Sequence, residues 1–197
     1  MRRPIHRLRL RDATPKDAKA LGDVFVQAWR QEHAGLLPQE VLGARSAAQS
    51  AANWSRSLTA IAAGERTNRF VLAAFRGRSC VGLLVGEQQA GERPAGQGEI
   101  VLIQVADGHR RHGVGAALMD AGARRLIALG ARSMIVRVLE ANAPARRFYE
   151  RLGGRLTAET RHVEESGLWF PERLYYWPDL PAATARAAGK MRRKFSA

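Results

Sequence analysis

The segment Val105-Ala106-Asp107-Gly108-His109-Arg110-Arg111-His112-Gly113-Val114-Gly115-Ala116-Ala117-Leu118 constrains this chain more than any other. It follows the apolar run Ile100-Val101-Leu102-Ile103, which reads as a buried strand, and it opens into an amphipathic stretch that reads as a helix. Glycines at such a junction let the backbone turn tightly, with no β-carbon in the way of a ligand. The free N–H groups of a helix start, at the positive end of its dipole, then form an anion site. The pattern therefore predicts a strand, a glycine turn and a helix N-terminus suited to a phosphate-bearing cofactor. A P-loop is excluded because no Lys follows the glycines, and a dinucleotide fingerprint because its third glycine position is Leu118. A strand-to-helix turn with no cofactor role has the same local pattern.

A second segment has the same strand-then-helix logic: Val138-Leu139-Glu140-Ala141-Asn142-Ala143-Pro144-Ala145-Arg146-Arg147-Phe148-Tyr149-Glu150-Arg151-Leu152-Gly153. Asn142 is a good N-cap, and Pro144 is tolerated in a first helical turn. Phe148 and Leu152, four apart, share a helix face, and Gly153 stands where a helix ends in a left-handed residue. Near the N-terminus, Thr14, Pro15 and Asp17 form a capping-box signature ahead of Leu21, Val24, Phe25 and Ala28 at helical spacing.

Arg-x-x-Gly-x-Gly after a strand, followed by Asn-x-x-Ala-x-x-Phe-Tyr-x-x-x-Gly, resembles the GNAT superfamily of N-acyltransferases. Trp29 and Gly35-Leu36-Leu37-Pro38 resemble a connection found in one branch of it. The resemblance covers roughly residues 8 to 177. It implies an α/β fold with a mixed, mostly antiparallel central sheet, helices on both faces, and a splay between the strands near 99–105 and 133–139. It implies acetyl-CoA as co-substrate, with the acyl group passing to an amine by direct attack in a ternary complex. Carried over residue by residue, the cofactor set is Ile103, Gln104, Val105, Arg110, Arg111, His112, Gly113, Val114, Gly115, Ala116, Asn142 and Tyr149. Within it, the Val105 backbone pairs with the pantetheine amides, and Arg110, Arg111 and His112 flank the pyrophosphate.

Acyl transfer to an amine needs the ammonium deprotonated and the leaving thiolate protonated. Tyr149 is the candidate acid and Glu99 the candidate base, with Glu140 as an alternative. A packing tyrosine and solvated surface carboxylates are the plain readings of the same residues. The chain departs from the family pattern at Asp107 (often Pro), Arg111 (often Gly), Gln104 (often Tyr) and Gly154 (often Phe). Gln104 and Gly154 bear on the acceptor side.

At 197 residues the expectation is one acyltransferase domain at 1–181 and a basic tail at 182–197. The net charge of +14 raises nucleic acid as a partner, but residues 1–11 carry five Arg, residues 182–197 carry five Lys or Arg, and neither holds an acid. The rest has 22 basic and 18 acidic residues. Nucleic acid is therefore not the expected partner. A protein acting through its tails, or a GNAT-fold CoA-binding regulator without turnover, are the rival readings. No apolar run reaches membrane-span length, and the Arg-rich start lacks an apolar h-region, so it does not read as a secretory signal. Cys80, the single cysteine, reads as a structural thiol in a cytoplasmic protein. His33, His109 and His112 match no zinc spacing, so no metal is expected. The acceptor is open between small-molecule amines, protein N-termini and lysines, and a homodimer is open as well.

Overall fold

The computed structural model describes residues 7–88, 96–165 and 167–185. The elements run β1 (Leu8–Asp12), a 3-10 turn at Pro15–Asp17, α1 (Ala18–Glu32), α2 (Gln39–Gly43), α3 (Ala47–Ala62), β2 (Arg69–Arg76), β3 (Ser79–Gln88) and β4 (Gln97–Val105). Then follow α4 (Val114–Ala128), β5 (Ser133–Leu139), α5 (Ala143–Arg151), β6 (Arg155–Glu165) and β7 (Leu168–Trp177). The strand order is β1-β2-β3-β4-β5-β7-β6. β4 and β5 run parallel, while β1/β2, β5/β7 and β6/β7 are antiparallel. The β4–β5 register runs only from Gln97↔Ser133 to Ile100↔Val136, the first four residues of each strand. This is the mixed, mostly antiparallel sheet that the sequence predicts.

The chain divides into two compact units. The first comprises residues 1–85 and 102–119. Its core gathers Leu21 and Val24 of α1, Leu58 of α3, Val71, Ala73 and Phe75 of β2, Leu83 and Val85 of β3, and Ala106. The alternation 71, 73, 75 is the period-two face of a strand, and the inward pattern of α1 is helical, as predicted. Gly22 is the close-approach point of α1 and α3: a β-carbon there would meet the Ala51 nitrogen at 2.8 Å. The predicted capping box forms. Asp17 accepts from the Thr14 backbone N–H (2.8 Å) and hydroxyl (2.9 Å). Arg11 adds two bonds to the same carboxylate. Cys80 is partly buried, its thiol directed at the Gly82 carbonyl and its pKa raised by burial.

The second unit comprises residues 86–101 and 120–197. Its buried residues include Leu126 of α4, Met134 and Val136 of β5, Tyr149 of α5, and Tyr175 and Trp177 of β7. β7 begins at Leu168, three residues before Pro171. Pro171 hides that stretch from a sequence reading, but Gly167 turns the chain at φ 82° and Pro171 pairs opposite His162. The expected tail boundary at 181/182 falls inside a helical segment, 180–185, in which Leu180 and Thr184 are buried and Asp179 accepts from Ala182 N–H. Residues 1–6 and 186–197 of the basic ends lie outside the described residues. No described helix is long and apolar enough to cross a membrane.

Candidate active site

In the first unit, the chain leaves β4 at Val105 and reaches α4 through Ala106 to Gly113. Ala106 N–H donates to the Val81 carbonyl (3.0 Å) and His109 N–H to the Ala106 carbonyl (3.1 Å), which fixes the start of the turn. Gly108 and Gly113 take φ of 73° and 80°, and Arg111 takes φ 63°, left-handed for a residue with a β-carbon. That is the position where the family often has glycine. The departure is in the side chain; the backbone keeps the glycine conformation.

A β-carbon on Gly113 would meet nothing within 4 Å, so the space over the helix start is open. Val114 is fully buried and anchors the first turn, and Ala117 N–H closes on the Gly113 carbonyl at 3.0 Å. The preceding N–H groups are those that an α-helix leaves without intrahelical partners. Arg111 and His112 are exposed and Arg110 is half-buried beside them. Arg110 Nε donates to the Val105 carbonyl (3.2 Å), and His112 Nδ1 lies 2.7 Å from the Arg110 carbonyl. Exposed cations, a helix N-terminus and open space above Gly113 fit a pyrophosphate. Ile103, Gln104, Val105, Gly115 and Ala116 complete this predicted stretch, with Gln104 fully buried and the others half-buried or exposed.

Sequence reasoning missed a residue here. Glu32, the last residue of α1, lies against the loop: its Oε1 is 3.5 Å from an Arg110 guanidinium nitrogen, and the side-chain amide of Gln104 donates to its carboxylate. Burial pushes its carboxyl up to about 7, against the opposing pull of Arg110 and Gln104. Gln104 Oε1 is buried with no hydrogen-bond partner among the described residues. The sequence carried one faint signal. An acid in the last turn of a helix opposes the helix dipole, so it needs a reason to be there.

In the second unit, Asn142 caps α5 as predicted, its Oδ1 accepting from Ala145 N–H at 3.1 Å. The helix ends in a Schellman pattern, Gly153 N–H to the Glu150 carbonyl and Gly154 N–H to the Tyr149 carbonyl, both 2.9 Å, with Gly153 at φ 85°. These caps hold Tyr149, which is buried with its ring 5.8 Å from that of Tyr175 and 6.4 Å from that of Trp177. Tyr175 is itself fixed, its hydroxyl donating to Glu150 (2.7 Å) and accepting from Arg146 (3.4 Å).

Glu99 is buried, and its Oε1 is 2.6 Å from Arg137, whose side chain is also buried. The guanidinium lies 3.9 Å from Glu159 on its other side. Glu140 is half-exposed and contacts Arg173 at 3.4 Å. The loop residues thus gather as one group in the first unit, and Glu99, Asn142 and Tyr149 belong to the second. Of His33, His109 and His112, His33 lies tilted against Trp29 (4.0 Å between ring centroids) and its Nδ1 lies 2.9 Å from the Trp29 carbonyl.

The acetyltransferase (GNAT) family model matches residues 27–154, a span that contains both the glycine turn and α5. The chain belongs to the GNAT acetyltransferase family. It is 31% identical over 176 residues to the uncharacterized N-acetyltransferase YuaI of Bacillus subtilis, covering 88% of this chain and 94% of that protein. Among solved structures it is similar to the PaiA N-acetyltransferase of Thermoplasma acidophilum in complex with coenzyme A. There the TM-score is 0.66 at 16% identity, over 85% of this chain and 98% of that one. It is similar also to yncA, a putative acetyltransferase of Salmonella typhimurium with acetyl-CoA, with a TM-score of 0.65 at 16% identity over 88% and 94% of the two chains. At these identities the structures speak for the fold, and the family membership rests on the sequence matches.

Proposed function

We propose that this chain is an acetyl-CoA-dependent N-acyltransferase that passes an acetyl group to an amine by direct attack, without an acyl-enzyme. The observation that carries the proposal is the turn ahead of α4. Arg111 and Gly113 are left-handed, the space over Gly113 is open, and the turn lies inside the family match. Two similar structures contain coenzyme A or acetyl-CoA. In this reading the backbone N–H groups of Gly113, Val114, Gly115 and Ala116, with Arg110, Arg111 and His112, hold the pyrophosphate. Ile103, Gln104 and Val105 offer the β4 backbone to the pantetheine arm, and Asn142 and Tyr149, in the second unit, are the remaining cofactor residues of this reading. When bound, acetyl-CoA supplies an activated acyl carbon and a thiolate leaving group.

Tyr149 supplies the proton for that thiolate. Its ring is held by Tyr175 and Trp177, so the hydroxyl is oriented before substrate arrives, as general acid catalysis requires. Glu99 is harder to use as a base. To take a proton it must give up Arg137, and separating a buried ion pair strands a charge. Its carboxylate serves more readily to hold Arg137 across the β4–β5 pairing, whereas the amine's proton requires a carboxylate that is not committed in this way. Cys80 has no role in the chemistry, its thiol being turned to the Gly82 carbonyl.

The test has two arms. Coenzyme A should raise the unfolding temperature by mass action. Acetyl-CoA with a panel of small primary amines, amino acids and peptide N-termini should release free thiol. Stabilisation without thiol release across the panel would favour a CoA-binding protein without turnover; no stabilisation of a folded sample would overturn the site itself.

A further inference from the structure

We propose that Glu32 and Gln104 form the subsite that receives the acceptor's ammonium group, and that Glu32 is the base that takes its proton. The inference rests on the acyltransferase reading and names the part of that site which selects the acceptor.

The geometry is that of an unfinished donor site. Gln104 is 2% exposed, and its side-chain amide nitrogen is spent on the Glu32 carboxylate. Its oxygen, buried, has no partner among the described residues. A buried acceptor left unpaired costs on the order of 1–3 kcal/mol, so such an atom points to a donor that arrives with a ligand. The Glu32 carboxylate and the unpaired Gln104 amide oxygen are both acceptors. An ammonium, with three donors and a positive charge, complements the pair; an alcohol offers one neutral donor and a carboxylate none.

The surroundings favour proton transfer. Around Glu32 the charged group is Arg110 of the loop, 3.5 Å away, with Gln104 from β4 as the polar neighbour. His33, the residue that caps the end of α1, is turned to the Trp29 carbonyl. Arg110 also reaches Gln31 and the Val105 carbonyl, so it is not committed to Glu32 alone. A carboxyl that changes protonation near neutrality is well matched to remove a proton and release it to water at working pH. In the step, one N–H bond of the ammonium breaks and its proton joins a Glu32 oxygen. The nitrogen keeps the electron pair and gains the lone pair needed to attack the acyl carbon. The nitrogen of the tetrahedral adduct then loses a second N–H proton as the C–S bond breaks and the sulfur leaves as the thiol, and Glu32 returns its proton to solvent. Gln104 lies on the strand segment, one residue from Val105, that offers its backbone to the pantetheine arm.

The experiment uses n-butylamine as probe on the wild-type protein, Glu32→Gln and Gln104→Leu. Binding of n-butylammonium without cofactor is followed by carbon-13 NMR of the glutamate carboxyls, with n-butyltrimethylammonium, which has no N–H, as control. The wild type should bind n-butylammonium saturably and more tightly than the control, and binding should weaken as pH falls below 7. Glu32→Gln should lose about tenfold or more, the worth of a charged hydrogen bond. In thiol release with acetyl-CoA, Glu32→Gln should lower kcat/KM for the amine by roughly 10²–10⁴-fold and remove the acid limb near pH 7. KM for acetyl-CoA and CoA-induced stabilisation should move far less than kcat/KM for the amine, although Glu32 contacts Arg110. A folded Glu32→Gln protein that binds n-butylammonium like the wild type, or keeps the acid limb, overturns the proposal. Wild-type binding of n-butylammonium that disappears in Glu32→Gln, with no thiol release from any amine, would uphold the subsite and overturn the acyltransferase reading instead.

Discussion

The Asp17 carboxylate takes both terminal nitrogens of Arg11 at 2.7 Å while it closes the capping box on Thr14. The bonds from Arg11, the largest influence, and those from Thr14 outweigh burial and hold its pKa down at about 2, below the ordinary 3.8. A depressed carboxyl stabilises the fold above its unfolded pKa and loses that stabilisation as pH falls through the folded value. Asp17→Asn should cost about 1–3 kcal/mol at pH 7, the worth of a cap and charged hydrogen bonds. The gap from wild type should begin to close below about pH 4 and be largely gone near pH 2. Chemical denaturation across pH checks it; a gap that stays constant between pH 5 and pH 2.5 would place the contribution elsewhere.

Arg111 and Gly113 separate backbone strain from ligand binding. Arg111→Gly relieves a left-handed β-carbon and should stabilise the apo-protein by about 0.5–1 kcal/mol after the entropic cost of glycine. It also removes a cation, so affinity for CoA should fall and its salt dependence should weaken. Gly113→Val puts a branched side chain at φ 80° and into the open space over the helix start. It should lower stability by about 1–2 kcal/mol and abolish stabilisation by CoA. Differential scanning calorimetry with and without CoA reads both effects. Normal CoA binding by folded Gly113→Val would remove the loop assignment.

Tyr149→Phe keeps the ring packed on Tyr175 and Trp177 and removes one hydroxyl. Stability should drop by no more than about 0.5–1.5 kcal/mol, the value of one hydrogen bond. If the hydroxyl protonates the thiolate, single-turnover acetyl transfer should slow by roughly 10²–10⁴-fold, with CoA affinity nearly constant. An unchanged single-turnover rate leaves Tyr149 as packing.

The order of strands and helices was legible because periodicity, glycines and caps all point the same way along this chain: Thr14 and Asp17, Asn142 and Pro144, and Gly153 each sit where local chemistry puts them. The glycine turn was legible for the same reason. What the sequence hid is tertiary. Gly154 departs from the family pattern because the Trp177 indole occupies its side-chain position: a β-carbon there would lie 2.7 Å from the ring. The Trp177 N–H is in turn held by the Leu152 carbonyl, so helix end and last strand define one another. Glu99 read as a free carboxylate because its partner, Arg137, is 38 residues away. Glu32 read as an ordinary helix-end acid because Gln104 and Arg110, which give it its character, are brought to it only by folding.

Transfer itself can be observed without knowing the natural acceptor. Acetyl-CoA labelled with carbon-13 at the carbonyl is incubated with the protein and a mixture of primary amines at pH 8, and the label is followed by NMR. The account predicts that the thioester carbonyl signal decays and an amide carbonyl signal grows in its place, in the wild type and not in Gly113→Val. Label that remains thioester, or that accumulates as acetate alone, would contradict it.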